Sequence, residues 1–153
     1  MTASGAPARD TPRVTIRCPF CQTWNRVDSA RVANKPKCGE CTRPLLLDRP
    51  IQLTDDDFAR TIAESEIPVL VDFYADWCGP CKAMAASIDA LAAKHQGRAL
   101  VAKLDTDAAP AVSMQFGIRG IPTTIVFRAG AEVRRVSGAV PLATLEALLA
   151  AAL

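Results

Sequence analysis

Two of the six cysteines, Cys78 and Cys81, form a Cys-x-x-Cys pair at a point where the local sequence pattern changes. The apolar, β-branched stretch 68–74 before the pair predicts a buried strand, and the apolar spacing over 82–96 predicts a helix after it. Pro80 suits the first turn of such a helix. The two thiols are therefore expected where a strand ends and a helix begins.

A thiol at a helix N-terminus faces unpaired backbone N–H groups and the positive end of the helix dipole. Both favour the thiolate, which is the nucleophilic form. We expect Cys78 to be the exposed, acidic thiol and Cys81, one turn further on, to be more sheltered. Such a pair can cycle between dithiol and disulfide; a fixed disulfide or half of a metal site are the alternative interpretations.

The other four cysteines form a second pattern near the N-terminus: Cys18 and Cys21, then Cys38 and Cys41, with sixteen residues between the pairs. This spacing is typical of a zinc site, because each turn presents two sulfurs and two turns complete a tetrahedron. Four cysteine ligands leave no open position for chemistry, so we expect one structural Zn²⁺ per chain. We expect no bound organic cofactor.

Two alternatives exist for these four cysteines: a pair of structural disulfides, or a second redox dithiol. Neither pair has the strand before it and the helix after it that surround Cys78. The segment 14–47 has few apolar residues, so we expect the metal to supply most of its stability.

The 153-residue chain has room for one ordinary domain and a smaller unit. We predict a disordered tail over 1–13, the zinc-binding module over 14–47, a linker at 48–50 and a larger domain over 51–153. Leu45 to Leu47 are expected to pack, which would bring the two units into contact.

The larger domain is predicted as an α/β fold with a mixed central sheet and helices on both faces. Thr54 is expected to cap a helix that runs to about Glu64, with Asp55, Asp56 and Asp57 in its first turn. Further strands are predicted over 99–104, 123–127 and 132–136, with helices over 110–116 and from Pro141 onwards.

The charge distribution does not favour a nucleic-acid partner. The net charge is +2, with +5 in residues 1–50 and −3 in residues 51–153. There is no extended basic run, and four thiolates on Zn²⁺ would lower the charge of the first part. The sequence shows no secretory signal and no membrane span, so we expect a cytoplasmic protein. Nothing in it points to an obligate oligomer, and we expect a monomer.

The stretch Trp77–Cys81 resembles the active-site signature of the thioredoxin family. Residues 71–73 resemble the strand that carries a buried acid in that family, and residues 117–123 resemble the segment that holds its cis-proline. The resemblance covers about 51–153. The four-cysteine module ahead of it resembles the N-terminal extension of the bacterial thioredoxin 2 type, so a thioredoxin fold preceded by a small zinc-ribbon-like module is implied.

The resemblance implies a protein-disulfide reductase. Cys78 would attack a substrate disulfide and Cys81 would resolve the mixed disulfide. Asp72 would be the buried acid that assists proton transfer, with a raised pKa, and Lys103 its partner lysine. A plain ion pair between Asp72 and Lys103 is the alternative role for these two residues.

Other roles are implied for the surrounding loops. Pro122 would be cis and would leave the backbone of Ile121 free to pair with a substrate, while Gly79 and Pro80 would tune the active-site loop. Trp77 would shield the dithiol and offer an apolar contact surface, or simply pack.

The implied partners are disulfide-containing proteins and a flavin-containing, NADPH-dependent thioredoxin reductase. A zinc- and redox-sensing regulator, or a partner-binding module, are alternative functions for the same fold. The sequence departs from the family at Ala86, where a helix-bending proline is usual, so a straighter helix is expected. The single histidine, His95, is interpreted as a favourable cation at the end of that helix.

Overall fold

The structure is a computed structural model that describes residues 11–153. Most of the predicted tail, residues 1–10, lies outside the described residues, and Arg13 at its predicted end is the first residue of a strand. The strands are β1 (Arg13–Arg17), β2 (Trp24–Asp28), β3 (Ile51–Leu53), β4 (Val69–Tyr74), β5 (Leu100–Asp105), β6 (Thr123–Arg128) and β7 (Ala131–Ser137). The helices are α1 (Phe58–Glu64), α2 (Gly79–Lys94), α3 (Pro110–Gln115) and α4 (Leu142–Ala150), with a 3₁₀ helix over Ser29–Asn34.

Five strands form the central sheet in the order β3-β5-β4-β6-β7. β3, β5 and β4 are parallel, whereas β6 and β7 are antiparallel to their neighbours. The predicted mixed sheet is therefore confirmed. Its centre is β4, whose buried residues face both sides of the sheet because side chains alternate along a strand.

Alternation along β4 divides the core into two layers. Val69, Val71 and Phe73 belong to a buried cluster that includes residues of α1 and α3. Leu70 belongs to a second cluster, which includes residues of α2 and α4. The expectation of helices on both faces is confirmed, and the even-numbered side chains of β4 share the face that α2 covers.

The first helix of the domain begins later than predicted. The backbone N–H of Thr54 donates to the Asp57 carboxylate at 2.7 Å, and the Thr54 hydroxyl accepts from the Asp56 N–H at 3.2 Å. These bonds form a turn, and α1 starts only at Phe58. Asp55 instead accepts from the N–H groups of residues 111 and 112, at 3.2 and 2.9 Å, at the start of α3.

Helix α2 runs unbroken through Ala86 and ends beside α4. His95 follows its last residue and is buried, with Nε2 lying 3.2 Å from Oε1 of Glu146. Lys94 forms an ion pair with the same carboxylate at 2.9 Å. The histidine therefore lies at the helix end as predicted, where it contacts an acidic partner on α4.

The N-terminal module, residues 11–47, lies against the larger domain. β1 and β2 form an antiparallel hairpin, and Arg13 and Glu66 exchange two hydrogen bonds of 2.7 and 2.8 Å that involve both backbone N–H groups. The Thr15 N–H donates to the Ser65 hydroxyl at 3.1 Å. Buried residues of the module join the cluster that contains α1: Val14, Ile16, Val27, Val32, Leu45 and Leu47. Contacts with the domain thus add to whatever the metal contributes.

A second contact joins the module to the turn after α2. Gly97 has a φ of +81°, and a Cβ built on it would lie 2.5 Å from the Ser29 carbonyl oxygen. The close approach is possible because glycine has no side chain and adopts positive φ readily. The module therefore contacts the domain at two places: at Glu66, just before β4, and at Gly97, just after α2.

We predict that Gly97→Ala lowers the free energy of unfolding by about 2–4 kcal/mol, because positive φ and a forced displacement of Ser29 both add strain. Gly117→Ala is the matched control, since Gly117 also has positive φ, +63°, but no atom within 4 Å of a built Cβ. The control should lose only about 1 kcal/mol of unfolding free energy. Urea denaturation of both variants measures the two losses. Equal losses in the two variants would show that the contact with Ser29 does not constrain the interface.

Candidate active site and metal centre

The Cys-x-x-Cys pair lies at the start of α2, as predicted. Cys78 is the N-cap residue, Gly79 and Pro80 are the first helical positions, and Cys78 and Cys81 form a disulfide. Cys78 Sγ accepts the backbone N–H of Cys81 at 3.2 Å. That N–H is one of the unpaired donors of the helix start, and it would equally stabilise a thiolate on Cys78.

The exposure of the two thiols differs from the prediction. Cys78 is 4% exposed and Cys81 5%, so Cys78 is not the more exposed sulfur of this disulfide form. Both pack with Ala75, Tyr74 and Ile121. The sequence could not predict this covering, because Ile121 comes from a loop about forty residues downstream.

The loop before β6 faces the dithiol. The Ile121–Pro122 peptide bond is cis, and the Ile121 carbonyl oxygen lies 3.8 Å from Cys78 Sγ. Trp77 is 70% exposed, and its indole N–H donates to Asp107 at 2.8 Å. This hydrogen bond holds an exposed indole beside the disulfide, which argues for a contact surface and against plain packing.

A buried carboxyl lies on β4, on the sheet face that α2 covers. Asp72, on β4, is 1% exposed, and burial raises its pKa to about 6, against an opposing effect of Lys103. Lys103 is the register partner of Asp72 on β5, yet its ammonium lies over the Tyr74 ring, 4.5 Å from the centroid. The Tyr74 hydroxyl in turn donates to Gln52 at 3.2 Å. This arrangement favours the proton-transfer role of Asp72 over a plain ion pair.

The four remaining cysteines converge at one point, as predicted. Their Sγ atoms all lie within 4.8 Å of one another, and the Cys18–Cys41 and Cys21–Cys38 separations are both 3.6 Å. A tetrahedral Zn²⁺ with Zn–S bonds of about 2.3 Å requires sulfurs about 3.8 Å apart. The four thiols therefore fit zinc.

The two Cys-x-x-Cys turns have the same backbone geometry. The Cys18 N–H donates to Thr23 at 2.8 Å, and the Cys38 N–H donates to Arg43 at 2.9 Å. Gln22 and Thr42, each directly after the second cysteine, have positive φ of 68° and 65°. Backbone N–H groups point at the sulfurs in both turns, as in the Phe20–Cys18 and Glu40–Cys38 contacts of 3.4 Å. This repetition supports the interpretation of one metal centre over two disulfides.

Asn25 is a residue of this centre that the cysteine pattern does not reveal. Its amide NH₂ donates to the Thr23 carbonyl at 3.1 Å and to Cys38 Sγ at 3.4 Å, and its Oδ1 accepts the Gly39 N–H at 3.0 Å. The backbone N–H of Cys41 and the Asn25 amide are the first causes that lower the pKa of Cys38, to about 6. A single asparagine outside the Cys pattern gives no sequence signal of this role.

A strand that leads into a Cys-x-x-Cys helix, with a buried acid beneath and a cis-proline loop opposite, defines a thiol–disulfide oxidoreductase. The family model described as Thioredoxin matches residues 49–151, and the one described as Thioredoxin 2, N-terminal, matches residues 17–43.

Curated relatives and a solved structure agree with these matches. The chain is 44% identical to "Thioredoxin C-3" of Corynebacterium nephridii over 131 residues, 86% of this chain and 88% of that protein. It is 46% identical to "Thioredoxin 1" of Nostoc sp. over 98 residues, 64% of this chain and 92% of the relative. A solved mutant thioredoxin of Halobacterium salinarum superposes with a TM-score of 0.59 at 33% identity, covering 69% of this chain and 92% of the other.

The chain belongs to the thioredoxin family and carries the zinc-ribbon extension of the thioredoxin 2 type. It is a thiol–disulfide oxidoreductase with protein-disulfide reductase activity. The four-cysteine cluster indicates zinc binding.

We predict that Asn25→Ala lowers zinc affinity by roughly 10–100-fold, because a residue that orients metal ligands from outside typically contributes that much. Competition with a chromophoric chelator measures the change. Asn34→Ala is the control, since Asn34 is an exposed asparagine of the same module outside the metal cluster. Equal zinc affinity in Asn25→Ala and wild type would contradict the role of Asn25.

We predict that Asp72→Asn raises the free energy of unfolding of the oxidised protein above pH 7 by up to about 3 kcal/mol. The folded pKa of about 6 lies above the ordinary value of 3.8, so the folded state resists ionisation. The contribution of Asp72 to wild-type stability should therefore fall as the pH rises from about 4 to about 6. The difference between Asp72→Asn and wild type should grow over that range and vanish at about pH 3.5. Exposed Asp89→Asn is the control, and a gain independent of pH would contradict the prediction.

Proposed function

We propose that Cys78 is the nucleophile and Cys81 the resolving thiol of the disulfide reduction. The Cys78 thiolate forms a bond to one substrate sulfur and displaces the other as a thiolate. Cys81 Sγ then bonds to Cys78 Sγ, breaks the mixed disulfide and releases the second substrate thiolate. The dithiol is oxidised by two electrons and the substrate is reduced. The position of Cys78 Sγ on the Cys81 N–H, at 3.2 Å, is the observation that carries this assignment.

Asp72 is the group that accepts the Cys81 proton. It lies on the sheet face that α2 covers, and a pKa of about 6 allows it to take up and release a proton near neutral pH. Lys103 opposes the effect of burial and keeps the carboxylate accessible to ionisation. The Lys103 ammonium lies over the Tyr74 ring and makes no direct ion pair with Asp72. Its positive charge is therefore near Asp72 but does not neutralise the carboxylate.

The substrate contacts the surface around the dithiol. The Ile121 backbone, next to the cis bond to Pro122, offers hydrogen-bonding groups to an extended segment that carries the disulfide. Exposed Trp77 supplies apolar contact area next to it. Gly79 and Pro80 shape the active-site loop, because glycine adds no side chain and proline fixes the first turn of α2.

The zinc centre has a structural role, with one Zn²⁺ per chain held by the four N-terminal cysteines. Two features support this role: all four coordination positions are cysteine thiolates, and the centre lies in a module that shares a buried cluster with the domain. When bound, the metal would cross-link the two Cys-x-x-Cys turns. The zinc module extends over 14–47 and meets the thioredoxin domain, 51–153, through the linker 48–50.

The partners proposed are disulfide-containing proteins and an NADPH-dependent thioredoxin reductase that returns the disulfide to the dithiol. The chain acts as a cytoplasmic monomer without an organic cofactor. No helix among residues 11–153 is long and apolar enough to cross a membrane.

We predict that Cys78→Ser abolishes insulin reduction with NADPH and thioredoxin reductase, because no thiolate remains to attack the substrate. Zinc content should stay at one per chain. Cys81→Ser should accumulate a mixed disulfide with the substrate, detected by intact mass, because the resolving thiol is gone. Turnover that persists in Cys78→Ser would contradict the assignment, and so would loss of zinc and turnover together.

A further inference from the structure

The buried carboxyl of Asp72 has a neighbour on each side in the sheet. Lys103 is its register partner on β5, and Thr124 is its register partner on β6. Leu70 and Val126, two residues away from Asp72 and Thr124 respectively, belong to the cluster under α2. Because side chains alternate along a strand, Asp72 and Thr124 point to the same face, beneath α2.

Thr124 is a polar residue without a polar partner in the described structure. It is 0% exposed, and its hydroxyl makes no hydrogen bond within residues 11–153. The Oδ1 atom of Asp72 is likewise buried and makes no hydrogen bond within the described residues. The adjacent Thr123 differs, since its hydroxyl donates to the Gly120 carbonyl at 2.5 Å. Two unpaired polar groups therefore lie opposite each other inside an apolar core.

The geometry allows these two groups to pair. Residues directly opposite in an antiparallel ladder have Cβ atoms about 4.5–5.5 Å apart, so the Thr124 hydroxyl and the Asp72 carboxyl are within reach of each other. A hydroxyl donates to a carboxylate and accepts from a protonated acid. The Thr124 hydroxyl can thus hydrogen-bond to Asp72 in both of its protonation states. A lysine ammonium can only donate, so it can bond only to an acceptor oxygen.

We propose that Thr124 is a positioning residue for proton transfer, and that its hydroxyl bonds to the Asp72 carboxylate that receives the Cys81 proton. This inference rests on the proposed role of Asp72. As the proton arrives, the hydroxyl changes from donor to acceptor and no further group needs to be protonated. Apolar residues at this position would leave Asp72 with Lys103 as its one polar neighbour across the strands.

Other groups around Asp72 come from each neighbouring element. Lys103 acts from β5 and Tyr74 from the same strand, and the Cys78–Cys81 disulfide lies at the start of α2. Asp89, also on α2, lines an open cleft together with Lys103. On β6, the charged residue Arg128 lies at the far end and donates to the Ala152 carbonyl at 2.7 Å. Thr124 is therefore the group of β6 that acts on Asp72.

The test compares Thr124→Val, which keeps the shape and removes the hydroxyl, with Thr124→Ser, which keeps the hydroxyl. Thr61→Val is the matched control, because Thr61 is also buried with an unpaired hydroxyl but lies on α1. The readouts are the carboxyl ¹³C titration of Asp72 in the oxidised protein and the pH profile of mixed-disulfide resolution in single turnover.

Thr124→Val should move the Asp72 midpoint upward by about 0.5–1 pH unit, and the resolution profile should move with it. Thr124→Ser should return both toward wild type, and Thr61→Val should change neither. An unchanged midpoint in Thr124→Val, whatever its stability, would overturn the inference.

The Asp72→Asn variant shows whether a negative result concerns only Thr124 or also the proposed role of Asp72. If resolution in Asp72→Asn keeps the wild-type pH profile, Asp72 is not the proton acceptor and both proposals fail. If that profile is lost in Asp72→Asn but unmoved in Thr124→Val, only the role of Thr124 fails.

Discussion

A carboxyl group buried in an apolar sheet resists ionisation, and this constraint at Asp72 organises the centre of the molecule. The residue lies on the middle strand of the sheet, on the face covered by the helix that carries the two cysteines. Its neighbours are a lysine that favours the charged form and a threonine hydroxyl that can serve either form. The pKa of about 6 results from burial that Lys103 offsets only in part. In the proposed function, this carboxyl accepts the proton that Cys81 loses.

The same sheet connects the redox centre to the N-terminal module. The face opposite Asp72 is covered by α1 and α3, and residues of the module join that layer of the core. The module also contacts the turn after α2 through Ser29 and Gly97. The four-cysteine centre therefore belongs to a module that is packed against the domain, and its cysteines lie in a different buried cluster from Cys78 and Cys81.

Much of the site can be predicted from the sequence because its signals are local. Cys78 and Cys81 stand between a strand pattern and a helix pattern, and the zinc cysteines have a characteristic spacing. The parts of the site that the sequence does not predict depend on segments that are distant in the chain. Asp55 is predicted in the nearest helix but contacts α3, Asn25 contacts Cys38 thirteen residues further on, and Ile121 packs against Cys78 from another loop. Thr124 acquires its significance only from the register of β6 against β4.

The most direct test of the role of Asp72 is the titration of its carboxyl carbon in the oxidised wild-type protein, followed by NMR. We predict a midpoint near pH 6, because burial raises the pKa of Asp72 to about 6. A midpoint near the ordinary value of 3.8 would show that the carboxyl is solvated or fully paired. It could not then serve as the proton acceptor described above.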